Sequence, residues 1–200
     1  MKKFELQRGQ IWKLGENYLV YGDSTDESLV QKVLRGKQVN TILTDPPYGV
    51  SYTESKKDFA DLSNKKDIAN DNITNERDYA DFVQKFLAPV IPFLAPKNNI
   101  YIFNCDKMLF AVKAALDALG IHFSQLLVWV KSKAVIGRKD YLPQHELIIS
   151  GWYKTHKWRG CKDKSVFFYP KPNKSTMHPT VKPLQLVANL ILNTTELHDV

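Results

Sequence analysis

Apolar runs of strand length alternate along this chain with longer stretches whose apolar residues recur every three or four positions. That alternation restricts the chain to one broad architecture. "NYLVYGD" (17–23), "VNTILT" (39–44) and "NNIYIFN" (98–104) read as strands. Ser24 with Glu27 forms a capping box, opening a helix through Leu29, Val30, Val33 and Leu34 that Gly36 closes. Thr74 or Asn75 caps a second helix, with Tyr79, Phe82, Val83, Phe86 and Leu87 on one face. Asp106 caps a third, with Met108, Val112, Ala115, Leu116 and Leu119 in one stripe and Gly120 at its end. "SQLLVWVK" (124–131) and "HELIISGW" (145–152) are two further strands joined by a basic loop. A last helix follows "HPTVKP" and turns Leu184, Val187, Ala188 and Ile191 inward, while residues 49–75 lack periodicity and read as a long loop. The order implies a single α/β domain over residues 1–200, its sheet mostly parallel with an antiparallel edge strand. Sites in open parallel sheets form at the carboxyl ends of strands, where Asp23, Asp45 and Asn104 fall.

Bulk properties narrow the function. Of 200 residues, 44% are hydrophobic and 24% charged, which excludes a disordered chain, and no apolar stretch approaches the ~20 residues that span a bilayer. Cys105 and Cys161 stand apart with no metal-ligand spacing, so a reduced, cytoplasmic protein with no metal and no membrane partner is expected. The charge is localised. Between Lys131 and Lys182 lie 12 basic and 3 acidic residues, whereas the rest of the chain holds 16 and 18. Such a segment is either a solvated face or a phosphate-facing one. The aromatics within "GWYKTHKWRGCKDKSVFFYPKPNK" favour the second. Phosphate contact is therefore placed on 151–177 as a small insertion, with loops 53–72 and 132–144 beside it, and on Arg138, Lys139, Lys157 and Arg159 as the candidate contacts.

"TDPPY" (44–48) stops the second strand on an acid followed by two prolines and a ring. Proline fixes its own φ and drives the preceding residue out of the helical region, so Asp45 and Pro46 are both held extended. The Asp45 carboxylate and the Pro46 carbonyl then project from one rigid corner. Two such acceptors suit a planar exocyclic amine. Taking both its hydrogens pulls the nitrogen toward tetrahedral geometry and frees its lone pair for attack. Tyr48 offers a flat face to a base extracted from its stack. The plainer alternative is a strand terminator whose acid caps local N–H groups; the tyrosine at a sheet's carboxyl edge tips the balance toward chemistry.

The order of "YGDSTDESLVQKVL", "TILTDPPYGVSY", "ANDN", "WVKSK", "HELIISG" and "HPTVKP" resembles the amino-terminal portion of the β-group, circularly permuted, DNA amino-methyltransferases. The resemblance implies an incomplete Rossmann-like methyltransferase sheet, S-adenosylmethionine as donor, and double-stranded DNA with a flipped target base as partner. It implies transfer to the N6 amine of adenine, with N4 of cytosine or an inactive DNA-binding fragment as alternatives. Asp45, Pro46, Pro47 and Tyr48 would form the catalytic corner. Asp23 would border the cofactor's adenine, unless it only caps the next helix, and His178, Thr180 and Lys182 would line its methionine end. Asp71 of "ANDN" would border the site. Family members continue past the last helix into a strand and a Gly-rich cofactor turn. "ILNTTELHDV" contains neither, and none of the nine glycines forms such a cluster. A truncation, with a missing carboxyl-terminal half and weak cofactor binding by this chain alone, is the resulting expectation.

Overall fold

A computed structural model describes residues 5–49, 70, 72–135, 140–172 and 181–200. The strands are β1 (Gln10–Leu14), β2 (Asn17–Tyr21), β3 (Val39–Thr44), β4 (Leu94–Asn104), β5 (Ile121–Val130), β6 (His145–Tyr153), β7 (Thr155–His156) and β8 (Val166–Phe168). The helices are α1 (Glu27–Leu34), α2 (Glu76–Leu87), α3 (Leu109–Ala118) and α4 (Leu184–Leu192). The main sheet runs β3-β4-β6-β5-β8, with β7 also paired to β4. β3 and β7 lie parallel to β4, and β8 lies parallel to β5; both antiparallel pairings belong to β6, seated between β4 and β5. This is the α/β sheet, with parallel and antiparallel pairings, that the alternation implies.

Period-two alternation along β4 splits the core. Ile100 and Ile102 face α2 and α3, packing with Tyr79, Val83, Phe86, Met108, Val112 and Leu116. Tyr101 and Phe103 face the other way, toward Leu127, Trp129, Phe167 and the α4 residues Leu186 and Leu190. The α4 phase differs from the expected one: Leu186 and Leu190 are buried, and Leu184 is 80% exposed. "LQLVANLIL" is apolar almost all round, so its pattern leaves the phase open; buried Lys182, four residues before Leu186, marks the face turned to the sheet.

Local caps also shift. Asp26, not Ser24, caps α1, accepting from the Ser28 and Leu29 amides. Asn75 caps α2 as expected. A 3₁₀ turn at Asp106–Met108 precedes α3, which has no side-chain cap. β2 belongs to a separate antiparallel hairpin with β1, closed at Gly15-Glu16, so Asp23 does not share the main sheet's edge with Asp45. The signal for β1 was the Gly-first two-residue turn between apolar runs. β7 and β8 lie within segment 151–177, which thereby contributes strands to both β4 and β5.

Gly151 marks where β5 and β6 approach most closely. A Cβ there would sit 2.2 Å from the His122 carbonyl oxygen, beside the register shift between Phe123 and Gln125. Gly151→Ala is expected to cost about 3 kcal/mol, because backbone on a central strand must yield. Urea unfolding of the variant measures it.

Candidate active site

The site grows from the carboxyl end of β3. The parallel register of β3 with β4, and the antiparallel register of β6 with β4 and β5, bring Asp45, Asn104, Glu146 and Lys131 to one edge. The corner after Thr44 is held from behind. The Tyr79 hydroxyl, on α2, donates to the Pro47 carbonyl at 2.9 Å. Gly49 follows with φ +63°, and a Cβ there would lie 1.9 Å from the Ile73 carbonyl oxygen, so only glycine permits the chain to turn so close to α2's approach segment. The Pro46 carbonyl takes no hydrogen bond from the described residues.

Four charged side chains and one phenol meet at this corner. Lys182 Nζ lies 2.8 Å from Asp45 Oδ2 and 3.1 Å from Glu146 Oε2. Glu146 Oε1 lies 2.8 Å from Lys131 Nζ. The Tyr48 hydroxyl is 2.9 Å from both Asp45 Oδ1 and Glu146 Oε2, so its single proton is given to one carboxylate at a time. Lys182 Nζ also sits 5.2 Å from the Tyr48 and Phe103 ring centroids. Exposure grades across the cluster: Lys131 is 7%, Lys182 10%, Glu146 16% and Asp45 37% exposed. Asp45 is thus the member that faces solvent. Burial pushes the Glu146 carboxyl up, but the Lys182 and Lys131 ammoniums outweigh it and hold it below the usual range, so it is a carboxylate at neutral pH. Burial, then the Glu146 and Asp45 charges, push the Tyr48 phenol well above its usual range and keep it a donor. A cleft beside the cluster is lined by Trp129, Lys131, Val135, Glu146, Lys171, Val181 and Lys182.

Sequence reasoning placed Asp45, Pro46, Pro47 and Tyr48 at one corner and Lys182 at the cofactor; the structure sets the Lys182 ammonium against Asp45 and Glu146 at that same corner. It missed Glu146 and Lys131. Their signal was a charged residue on each of two adjoining strands at the level of the acid corner, legible only once the antiparallel register is known. Asp23 is elsewhere: exposed, it accepts from the Thr25 amide (3.0 Å) and hydroxyl (2.8 Å), which hold its carboxyl below the usual range. His178, Thr180, Asp71, Arg138 and Lys139 lie outside the described residues; at this edge the Lys131 amide donates to the Gln144 carbonyl. Lys157 and Arg159 are at the opposite end, ion-paired with Asp199 and Glu196. There His122, Trp152, His156 and Trp158 follow in a row at centroid spacings of 4.4, 4.4 and 5.9 Å, the middle pair stacked and the last edge to face. Six residues of β6 separate Trp152 from Glu146, roughly 20 Å of strand.

The arrangement offers a solvent-facing carboxylate and an adjacent carbonyl on a rigid turn, over a ring fixed by its own hydroxyl. It is an acceptor site for hydrogens of a flat polar group. Two residues that the resemblance assigns to a cofactor are otherwise placed: the Lys182 ammonium is shared by Asp45 and Glu146, and Asp23 stands on the separate hairpin segment.

Comparison with known proteins adds three findings. The sequence model of the N6/N4 DNA methylases matches residues 39–200. The crystal structure of the M1.HpyAVI–SAM complex shares the fold at a TM-score of 0.56 and 21% identity, over 87% of this chain and 76% of that one. The crystal structure of M1.HpyAVI does so at 0.56 and 16%, over 89% and 74%. No curated protein matches the chain.

Proposed function

The chain belongs to the N6/N4 family of DNA methylases, and from that premise we propose that it serves transfer of a methyl group from S-adenosylmethionine to the N6 amine of adenine in double-stranded DNA. The observation that carries this reading is the corner at the end of β3, where the Asp45 carboxylate faces solvent beside the unengaged Pro46 carbonyl. Among the described residues each Asp45 oxygen has one partner, Lys182 on one and Tyr48 on the other, and a second lone pair remaining.

The donor supplies a methyl group already activated on sulfonium, so the residues of the chain have only to bind, orient and accept protons. Asp45 and the Pro46 carbonyl receive the two amine hydrogens, strengthening their hold as the nitrogen becomes tetrahedral. Tyr48, fixed through its hydroxyl, packs its ring against the flipped base. Once the nitrogen is methylated and positive, Asp45 accepts a proton or passes it to water at its exposed side. His178, Thr180, Lys182 and Asp23 are assigned to the donor by resemblance. For Lys182 this requires the ammonium to be shared with a third carboxylate.

The deciding experiment incubates the natural protein with methyl-labelled donor and mixed-sequence duplex, then identifies the modified nucleoside. N6-methyl-2′-deoxyadenosine is the expected product. N4-methylcytosine moves the acceptor to cytosine, and retention of duplex without any label reduces the chain to a DNA-binding module.

A further inference from the structure

Glu146 does not face solvent as Asp45 does, yet it touches every polar side chain of the corner except Asp45 itself. A buried carboxylate between two lysines is a costly way to fill a sheet edge, since apolar side chains of similar volume commonly do as well or better. Its geometry has a specific effect on its neighbours. Lys182 Nζ has two carboxylates to satisfy, at 2.8 and 3.1 Å, and the Tyr48 hydroxyl has the same two, each at 2.9 Å. Without Glu146 both donors would have Asp45 as their only carboxylate, and its remaining lone pairs would be drawn into a closed ion pair. With Glu146 present, and itself anchored by Lys131, both donors are divided and the ring of Tyr48 is held at a fixed angle.

We propose that Glu146, anchored by Lys131, is a positioning residue for the acceptor corner: by sharing Lys182 and Tyr48 it keeps the Asp45 carboxylate open to the incoming amine. This rests on the reading of Asp45 given above and deepens it. Glu146 acts through Lys182 and Tyr48 and does not itself contact the base.

Glu146→Gln alone strands the buried Lys131 ammonium, so the test pairs it with Lys131→Met and includes Lys131→Met and Glu146→Asp singly. The double variant is expected to lose about 100-fold in kcat, the scale of a small misplacement of reacting groups. Its KM for DNA should stay within about threefold, since an interaction made only in the transition state has been removed. Lys131→Met, which keeps Glu146, should lose less than about tenfold, and Glu146→Asp should recover part of the loss by retaining the charge. Wild-type kcat in the double variant, or KM rising in step with kcat loss, overturns the proposal. A second readout needs no turnover: the NMR resonance of the Tyr48 hydroxyl carbon, assigned by its disappearance in Tyr48→Phe, should move in the double variant as one of its two carboxylate acceptors becomes a neutral amide. If the wild-type protein transfers no methyl group to any DNA, the functional reading fails. The hydroxyl resonance then decides the clamp alone, and an unmoved signal rejects it.

Discussion

Asp45→Ala lowers methyl transfer by about 1000-fold or more, the upper end for loss of one preorganised transition-state contact, while leaving duplex affinity within about threefold. The split follows from the site. Asp45 is the exposed member of a charge cluster whose other members are buried or half-buried, so it meets the substrate and contributes least to packing. Removing it leaves Lys182 paired with Glu146 and the Tyr48 hydroxyl donating to Glu146 Oε2, so no buried cation or phenol is stranded. The corner itself remains fixed through Tyr79 and Gly49. Asp45→Asn sharpens the measurement. It keeps shape but puts two N–H donors where the amine brings its own, so it should be as inactive as alanine. Single-turnover transfer and filter binding on the same samples test both statements, and a variant that transfers at the wild-type rate removes Asp45 from the mechanism.

Duplex affinity is expected to fall about 100-fold between 50 and 200 mM salt, from a slope near −0.9 for each of roughly four phosphates neutralised. The number comes from the cations the fold leaves available. Of the basic excess between residues 131 and 182, Lys131 and Lys182 are consumed at the corner, and Lys157 and Arg159 are paired with Asp199 and Glu196. Among the described residues Lys133, Lys154, Lys162, Lys164 and Lys171 are exposed and in no ion pair; the Lys154 ammonium is engaged over the Tyr153 ring at 5.2 Å, leaving four, of which Lys171 lines the cleft beside the cluster. Charge removal at Lys133 and Lys171 should therefore flatten the salt slope by about one unit each. The same change at Lys157 should act first on thermal stability, because its ammonium joins β7's end to the last residues of the chain. A salt-independent affinity would dismiss the basic segment as a phosphate-facing surface.

How far the sequence could be read depended on the kind of interaction. α2 was legible because its single apolar stripe lets only one rotation bury Tyr79, Val83 and Phe86, and α3 because Lys113 and Asp117 mark its outer face. α4 was not, because apolar residues on nearly every side leave its rotation to tertiary contacts. The acid corner was legible because two prolines dictate backbone shape from within the sequence. The Lys131–Glu146–Lys182 cluster was not. Its members are brought together by the register of β5 on β6 and by the return of the chain before α4, which no local pattern encodes. The same holds for Lys157 and Arg159: composition counts their charges, but only the fold reveals that Asp199 and Glu196 already answer them.

One bond on the far side of the corner has a thermal corollary. The hydroxyl that grips Pro47 belongs to Tyr79, which is fully buried at the heart of the layer formed by α2 and α3. The proline turn therefore has no hinge of its own. It shares the cooperative unit of the hydrophobic layer beneath it, and warmth will not soften this loop in advance of the domain that carries it.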